Sequence, residues 1–189
     1  MSEDASILLH DEVFVHESRA REFEAFVGAH RERAVGLAWK LLGGDGSTAE
    51  DVAQEAFVRA HRALGRFRGE AKMSTWFHRI LVNEVRRQRR WRFVRLRRSA
   101  PFDEDIADVH EAPTFDPALR RRVGDALASL SQGQREAFVL VHLEGFPVDE
   151  AAAIMGRASG TLKSHLHRAR LALRARLRDL DPNQEAAPR

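Results

Sequence analysis

From Phe23 onward the apolar residues return at the interval of a helix turn. Phe23, Phe26, Val27, Ala34, Leu37, Ala38, Leu41 and Leu42 share one stripe, the 3.6-residue spacing of a helix that buries one face. The interval recurs in Val52, Ala53, Ala56, Phe57, Ala60 and Leu64, and again in Trp76, Phe77, Ile80, Leu81 and Val85. No stretch alternates apolar and polar residues as a half-buried strand does, and nothing repeats at a solenoid period. The expected fold is all-α.

Turn and cap residues divide that pattern. Gly43-Gly44-Asp45-Gly46 ends the first helix; Thr48 is placed to cap the second, with Asp51 three residues on. A third helix should begin near Ser74. These elements make one helical domain over residues 22–92, preceded by an acidic, mobile extension (1–21) with no convincing period. Residues 93–115 start basic (Arg95, Arg97, Arg98), turn acidic and contain Pro101 and Pro113, the composition of a flexible linker. A second domain, 116–178, opens with Asp116-Pro117 as N-cap and first-turn pair. Leu119, Val123, Ala126, Leu127 and Leu130 stripe its first helix. Ser131 with Gln134 is a capping box for the next, which runs through Phe138, Val139, Val141 and Leu143 to a stop at Gly145. A short helix (Asp149 to Met155), a turn at Gly156 and a long helix (Ser159 to Leu177) complete it, leaving 179–189 as a tail.

Composition excludes several classes. Hydrophobic content of 43% over 189 residues suffices for real cores. No run approaches the ~18 apolar residues of a membrane span, and the acidic start MSEDASILLHDEVF lacks the basic opening of a secretory signal. With no cysteine there is neither disulfide nor thiolate metal site, which fits a cytoplasmic protein. The net charge of +3 conceals strong segregation. Residues 79–98 hold nine arginines against the single Glu84, residues 157–178 hold seven basic residues and no acid, and residues 103–116 hold six acids and no base. Two basic surfaces either side of an acidic strip suit two contacts with a nucleic acid; the plainer reading is a set of solvated helix faces.

The segment from Ser47 to Arg90 sets three chemistries end to end. On its acidic helix, AEDVAQEAFVRAHRAL, the exposed edge at Asp51, Gln54 and Glu55 is either solvated surface or a docking face for a protein. The loop GRFRGEAKMSTWF comes next. Trp76 and Phe77 suit a core. Phe67, Arg68, Gly69, Lys72 and Met73 are harder to bury, and aromatic and cationic groups on a loop suit an unpaired base that needs stacking and charge neutralisation. Asn83, polar among Ile80, Leu81 and Val82, either reads a base edge or hydrogen-bonds within the fold. In VDEAAAIMGRASGTLKSHLHRAR, Ala152 permits close helix approach and Gly156 a left-handed turn. Leu162 and Leu166 anchor the second helix, so Lys163, Ser164, His167, Arg168 and Arg170 project outward together. This is helix-turn-helix spacing, with an ordinary helical hairpin as the alternative. His165 and His167 are two apart on a helix and diverge by about 200°, so they do not make a metal site.

AEDVAQEAFVRAHRAL, FRGEAKMSTWFHRILVNEVRRQRR, LASLSQGQREAFVLVHLEGF and GTLKSHLHRARLALRARL, in this order and spacing, resemble bacterial sigma factors of the extracytoplasmic-function (group IV) family over residues 22–92 and 116–178. The resemblance implies a non-catalytic specificity subunit of RNA polymerase, without cofactor, built from sigma region 2 and helix-turn-helix sigma region 4. By residue, it implies that Asp51, Gln54 and Glu55 dock on the β′ clamp helices of core polymerase. Phe67, Arg68, Lys72, Met73 and Asn83 would capture the melted minus-ten strand, with Arg86, Arg87, Arg89 and Arg90 on its backbone or the adjacent duplex. Lys163, Ser164, His167 and Arg168 would read the minus-thirty-five duplex, with Thr161 and Arg170 on phosphates and the β flap as second polymerase contact. The linker would thread the polymerase near the RNA exit path, and an anti-sigma factor would be the controlling partner. Pro147 stands where the family usually has a serine cap, Arg157 at a normally apolar turn position, Ala158 for a usual serine, and His165 and His167 where arginine or an aromatic is common. A polymerase-independent helix-turn-helix regulator is the main rival, and it leaves residues 47–90 unexplained. A nuclease lacks any cluster with metal-ligand or acid–base spacing.

Overall fold

The computed structural model describes residues 3–98 and 116–177, with side chains over 19–95 and 116–177. Among these residues there are helices and no strand. The first domain contains α1 (Glu3–Leu42), α2 (Gly46–Ala63), a 3-10 turn at Leu64–Arg66, and α3 (Met73–Arg98). The second contains α4 (Pro117–Ala128), α5 (Gln132–Phe138) running into a π-helical turn at Val139–Leu143, α6 (Val148–Met155) and α7 (Ser159–Arg176).

Most boundaries fall where cap chemistry put them. Asp116 caps α4, accepting from the Ala118 N–H with Pro117 in the first turn, and Ser131 and Gln134 form the expected capping box. Gly156 closes α6 in the left-handed conformation (φ 63°, ψ 43°), which an L side chain rarely adopts. Pro147 stands at the N-cap of α6 with no side-chain cap bond. Three expectations need correction. The cap of α2 is Asp45, which accepts from the Thr48 N–H at 3.0 Å, while Thr48 itself is buried; the carboxylate three residues upstream outcompetes the hydroxyl. The stretch before Arg21 is helical from Glu3 as a continuation of α1. The linker expected from residue 93 is helical as far as Arg98, because arginine and leucine are good helix formers and the first proline comes only at Pro101. The rest of that linker (99–115) and the tail lie outside the described residues.

Leu37, Leu41, Phe77, Leu81 and Val85 form the centre of the first domain, with Phe77 stacked on Phe57 (4.4 Å between centroids) and edge-on to Phe26 (5.3 Å). Val139, Leu140, Ile154, Leu162, Leu166 and Ala169 fill the second. The two cores meet. Gly43 and Gly44, both at positive φ, lie so close to α4 that a Cβ at Gly43 would stand 2.9 Å from the Ala128 Cα and one at Gly44 would stand 3.1 Å from the Gly124 Cα. Arg135, only 2% exposed, donates to the carbonyls of Leu127, Ala128 and Leu130 at the end of α4 and to that of Leu41 at the end of α1. One guanidinium thus satisfies carbonyls at the C-termini of two helices from different domains.

Candidate nucleic-acid and polymerase interfaces

Val52, Ala53, Ala56 and Ala60 turn inward on α2, so the opposite edge is left to charges. Asp51 and Gln54 are exposed there. Glu55 is half-buried, bound by Arg59 at 2.9 Å and approached by Arg87 at 3.5 Å. Both arginines also hold Glu84, which α3 buries to 5% exposure (Arg59 at 2.8 Å, Arg87 at 2.7 Å). The acidic face therefore divides: Asp51 and Gln54 face outward, and Glu55 belongs to a four-residue network stitching α2 to α3. Arg87 lies in that network, apart from Arg86. Glu84 was visible in the sequence as the lone acid in the arginine run, since a carboxylate kept there has cations to bind.

Beyond the 3-10 turn, the loop presents Arg68 and Lys72 to solvent. Phe67 is half-buried with its ring 4.9 Å from that of Trp76, and Gly69 adopts φ 74°. Trp76 and Met73 pack on the core from its edge, while Phe77 is inside it. Asn83 and Arg90 are exposed. The Asn83 Oδ1 accepts a long, exposed bond from Nη1 of Arg86 at 3.4 Å. Arg86 is half-buried, and its remaining nitrogens are engaged by the second domain: Nε donates to Glu136 Oε1 at 3.0 Å, and Nη2 to Glu136 Oε2 at 2.6 Å and to the Met155 carbonyl at 3.0 Å. Bonding to Glu136 raises the Arg86 pKa against the opposing effect of burial. Arg89 is half-buried, and its Nη1 finds no hydrogen-bond partner among the described residues.

In the second domain α6, the Gly156 turn and α7 make a helix-turn-helix. Schellman-type bonds close the turn (Gly156 N–H to Ala153 O, 3.1 Å; Arg157 N–H to Ala152 O, 2.9 Å). Ala158, at the N-cap of α7, offers no cap; the Ser159 hydroxyl instead reaches Asp149 at 2.6 Å and ties the two helices. With Leu162 and Leu166 buried, Thr161, Lys163, Ser164, His167, Arg168 and Arg170 are all exposed. Arg170 also donates to His142 on the π turn at 3.2 Å; burial first, and then this cation, keeps the imidazole below its usual pKa. His165 is half-buried, so close to Gly133 that a Cβ there would stand 2.8 Å from its ring, whereas His167 faces solvent.

The two halves match known families in the same order. Residues 26–92 match the family described as Sigma-70 region 2 and residues 120–173 match Sigma-70, region 4. A Pseudomonas aeruginosa RNA polymerase sigma-H factor is 30% identical over 175 residues, 85% of this chain and 88% of that protein. The Mycobacterium tuberculosis ECF (extracytoplasmic-function) RNA polymerase sigma factor SigM is 34% identical over 80% of this chain and 74% of its own length. The chain belongs to the extracytoplasmic-function sigma factors. Among solved structures, the sigma factor RpoE of Bartonella quintana, in complex with the anti-sigma factor NepR, superposes with a TM-score of 0.73 at 31% identity (84% of this chain, 98% of that one). CnrH, in complex with the cytosolic domain of CnrY, gives 0.63 at 28% identity over 90% and 98%. This sigma factor directs RNA polymerase to promoters, and its region 2 match accounts for the segment that a polymerase-independent regulator left over. No helix among the described residues is long and apolar enough to cross a membrane.

Sequence reasoning missed the residues that join the halves. Glu144 accepts from Lys40 Nζ at 2.7 Å and Arg33 Nε at 3.2 Å, Thr75 donates to Glu150, and His78 meets the Phe146 ring edge-on at 4.9 Å. These partners are 68 to 111 positions apart in the chain, and no local pattern pairs them.

Proposed function

We propose that this sigma factor divides promoter recognition among three surfaces, without catalysing any reaction. Asp51 and Gln54, flanked by Glu55, dock on the β′ clamp helices of core polymerase. Phe67, Arg68, Lys72, Met73 and Asn83 capture unpaired minus-ten bases, with Arg86, Arg89 and Arg90 on the backbone and Arg87 bracing α3 against the docking helix. Lys163, Ser164, His167 and Arg168 read the minus-thirty-five duplex, while Thr161 and Arg170 hold phosphates. Region 4 also contacts the β flap. An anti-sigma factor acting in the cytoplasm is the controlling partner, by analogy with the complexes of the Bartonella sigma factor and of CnrH.

The observation that carries the reading is the outward row on α7. It has six exposed polar side chains and no acid, and its two anchoring leucines bury the opposite face. A recognition helix must present such a row to enter a major groove. Binding energy spent on the unpaired strand favours the melted state, because only that state offers it. The test is run-off transcription with core polymerase on a promoter library. Wild-type protein should start at defined sites, and the Lys163→Ala/Arg168→Ala double variant should lose its preference for one upstream duplex element while still co-purifying with polymerase. A changed minus-ten preference in that variant would refute the assignment of the two readers.

A further inference from the structure

His165 belongs to the recognition helix but not to its outward row. Thr161, His165 and Arg168 are spaced four and three residues apart and so share one stripe of α7. Thr161 and Arg168 are exposed, whereas the His165 ring is half-buried against α5. Leu162 and Leu166, its inner neighbours, are buried. The His165 Nδ1 is buried and finds no hydrogen-bond partner among the described residues. A ring seated to make a hydrogen bond would not leave that atom unpaired, which is costly; its contact with α5 is one of shape.

Gly133 sets that shape. A Cβ at this position would stand 2.8 Å from Cε1, 2.9 Å from Nε2 and 3.2 Å from Nδ1 of His165. Distances so nearly equal mean that the ring lies broadside to α5. Gly133 is the second residue of α5 and is not at positive φ, so its backbone is one that alanine adopts more favourably. What glycine supplies there is space. The base of the contact is firm: the Ser131–Gln134 box fixes the first turn of α5, and the buried Arg135 is bonded to four carbonyls. The start of α7 is tied separately, by Ser159 to Asp149 at 2.6 Å. Rotation of α7 about its own axis is then limited by the side chain wedged between its outward row and α5, and that side chain is His165. Relieving a 2.8 Å contact to the ordinary carbon spacing takes about 0.7 Å of movement. A hydrogen bond to a base edge spans roughly 2.7–3.2 Å and does not survive a shift of that size.

We propose that His165, seated on Gly133, is a positioning residue for minus-thirty-five recognition. It fixes the roll of α7 on α5, and so the reach of Lys163, Ser164 and Arg168 into the groove. This rests on the reading of α7 as the recognition helix.

Holoenzymes of core polymerase with full-length variants are compared on the promoter library for discrimination, the ratio of run-off transcript from the preferred upstream element to that from scrambled elements. Gly133→Ala should lower discrimination about tenfold, the contribution of one good base contact, with polymerase co-purification and minus-ten preference unchanged. On a His165→Ala background the same change should cost no more than about twofold, because the ring it strikes is gone. His165→Ala by itself should also lower discrimination, at every base pair that α7 reads. A purely structural role would lower the thermal midpoint and the yield from all templates alike, leaving the ratio untouched, and that result overturns the proposal. So does undiminished discrimination in Gly133→Ala, an equal cost on both backgrounds, or a loss confined to a single base pair, which would make His165 a direct reader. Should Gly133→Ala fold poorly, His165→Ala decides alone, for it introduces no clash: undiminished discrimination there overturns the proposal. Lys163→Ala/Arg168→Ala separates the two ideas. If that variant keeps its upstream preference, the reading of α7 has failed; if it loses the preference while Gly133→Ala and His165→Ala keep it, the positioning role alone has failed.

Discussion

Arg135 ties the ends of two helices from different domains together, and its replacement should be costly. It donates four hydrogen bonds to main-chain carbonyls at 2.7 to 3.1 Å from within the core. An ammonium has three donors and no planar fork, so Arg135→Lys must leave at least one buried carbonyl unpaired, at about 1–3 kcal/mol. Arg135→Ala orphans all four and opens a cavity. Bonds to one centre are not additive, so about 3–5 kcal/mol is expected, as when one partner of a buried charged pair is removed. With a urea slope of about 2 kcal/mol/M, a loss of about 3 kcal/mol lowers the unfolding midpoint by about 1.5 M. The three tryptophans, Trp39, Trp76 and Trp91, all lie in the first domain, so fluorescence tracks that domain while far-UV circular dichroism tracks both. Because Arg135 also reaches Leu41, the midpoint should fall by both probes. An alanine variant within about 0.3 M of wild type would refute the role given to this guanidinium, since even one orphaned carbonyl should cost more.

Asp51→Lys/Gln54→Lys should weaken co-purification with core polymerase at least tenfold and leave α7-dependent duplex binding unchanged, as gel shifts would show. Glu55→Lys would be a poorer probe, for it also breaks the bonds to Arg59 and Arg87. Gly43→Ala should destabilise by about 1–3 kcal/mol on φ alone, more if α4 cannot retreat from the 2.9 Å contact, measured by thermal unfolding. His78 gives a pH dependence. Burial, the larger effect, holds its pKa below the usual value, against the opposing pull of the Ser74 carbonyl and Glu144; Arg33 and His30 also disfavour the charged form. The unfolded chain therefore binds more protons between the lower folded pKa and about 6.5. Stability should be full above that range and fall as pH drops through it, and His78→Asn should flatten the slope in urea titrations.

The helices were legible because their signals are local. Asp116-Pro117, the Ser131–Gln134 box and Gly156 each work within four residues, and each marks a boundary where expected. Thr48 misled because two good caps stood three residues apart. The last turns of α3 escape a reading from composition because the prolines that argue for a linker, Pro101 and Pro113, lie beyond Arg98, and arginine is no obstacle to a helix. The outward row on α7 was readable for the same local reason, and its six members are exposed as a recognition helix needs. Of the three acidic-face residues on α2, Asp51 and Gln54 are exposed, whereas Glu55 also binds Arg59 and Arg87, and only tertiary structure brings Glu84 beside those two arginines. The domain contact could not be read from the sequence, since Glu136 and Glu144 resemble any other helix acids until Arg86, Arg33 and Lys40 come opposite them.

The π turn at Val139–Leu143 sets the heading of the chain as it leaves α5. The Glu144 N–H reaches back five residues to the Val139 carbonyl at 2.9 Å, the mark of one residue inserted into an otherwise α-helical path. Each helix residue rotates its successor by about 100°, so removing one position here would swing Glu144 and Phe146 by that angle away from Lys40 and His78. A single-codon deletion at this point would thus keep the local bonds of the Gly156 turn while breaking the contacts of Glu144 and Phe146 with region 2. Chain length within one coil of α5 fixes which way these two residues face.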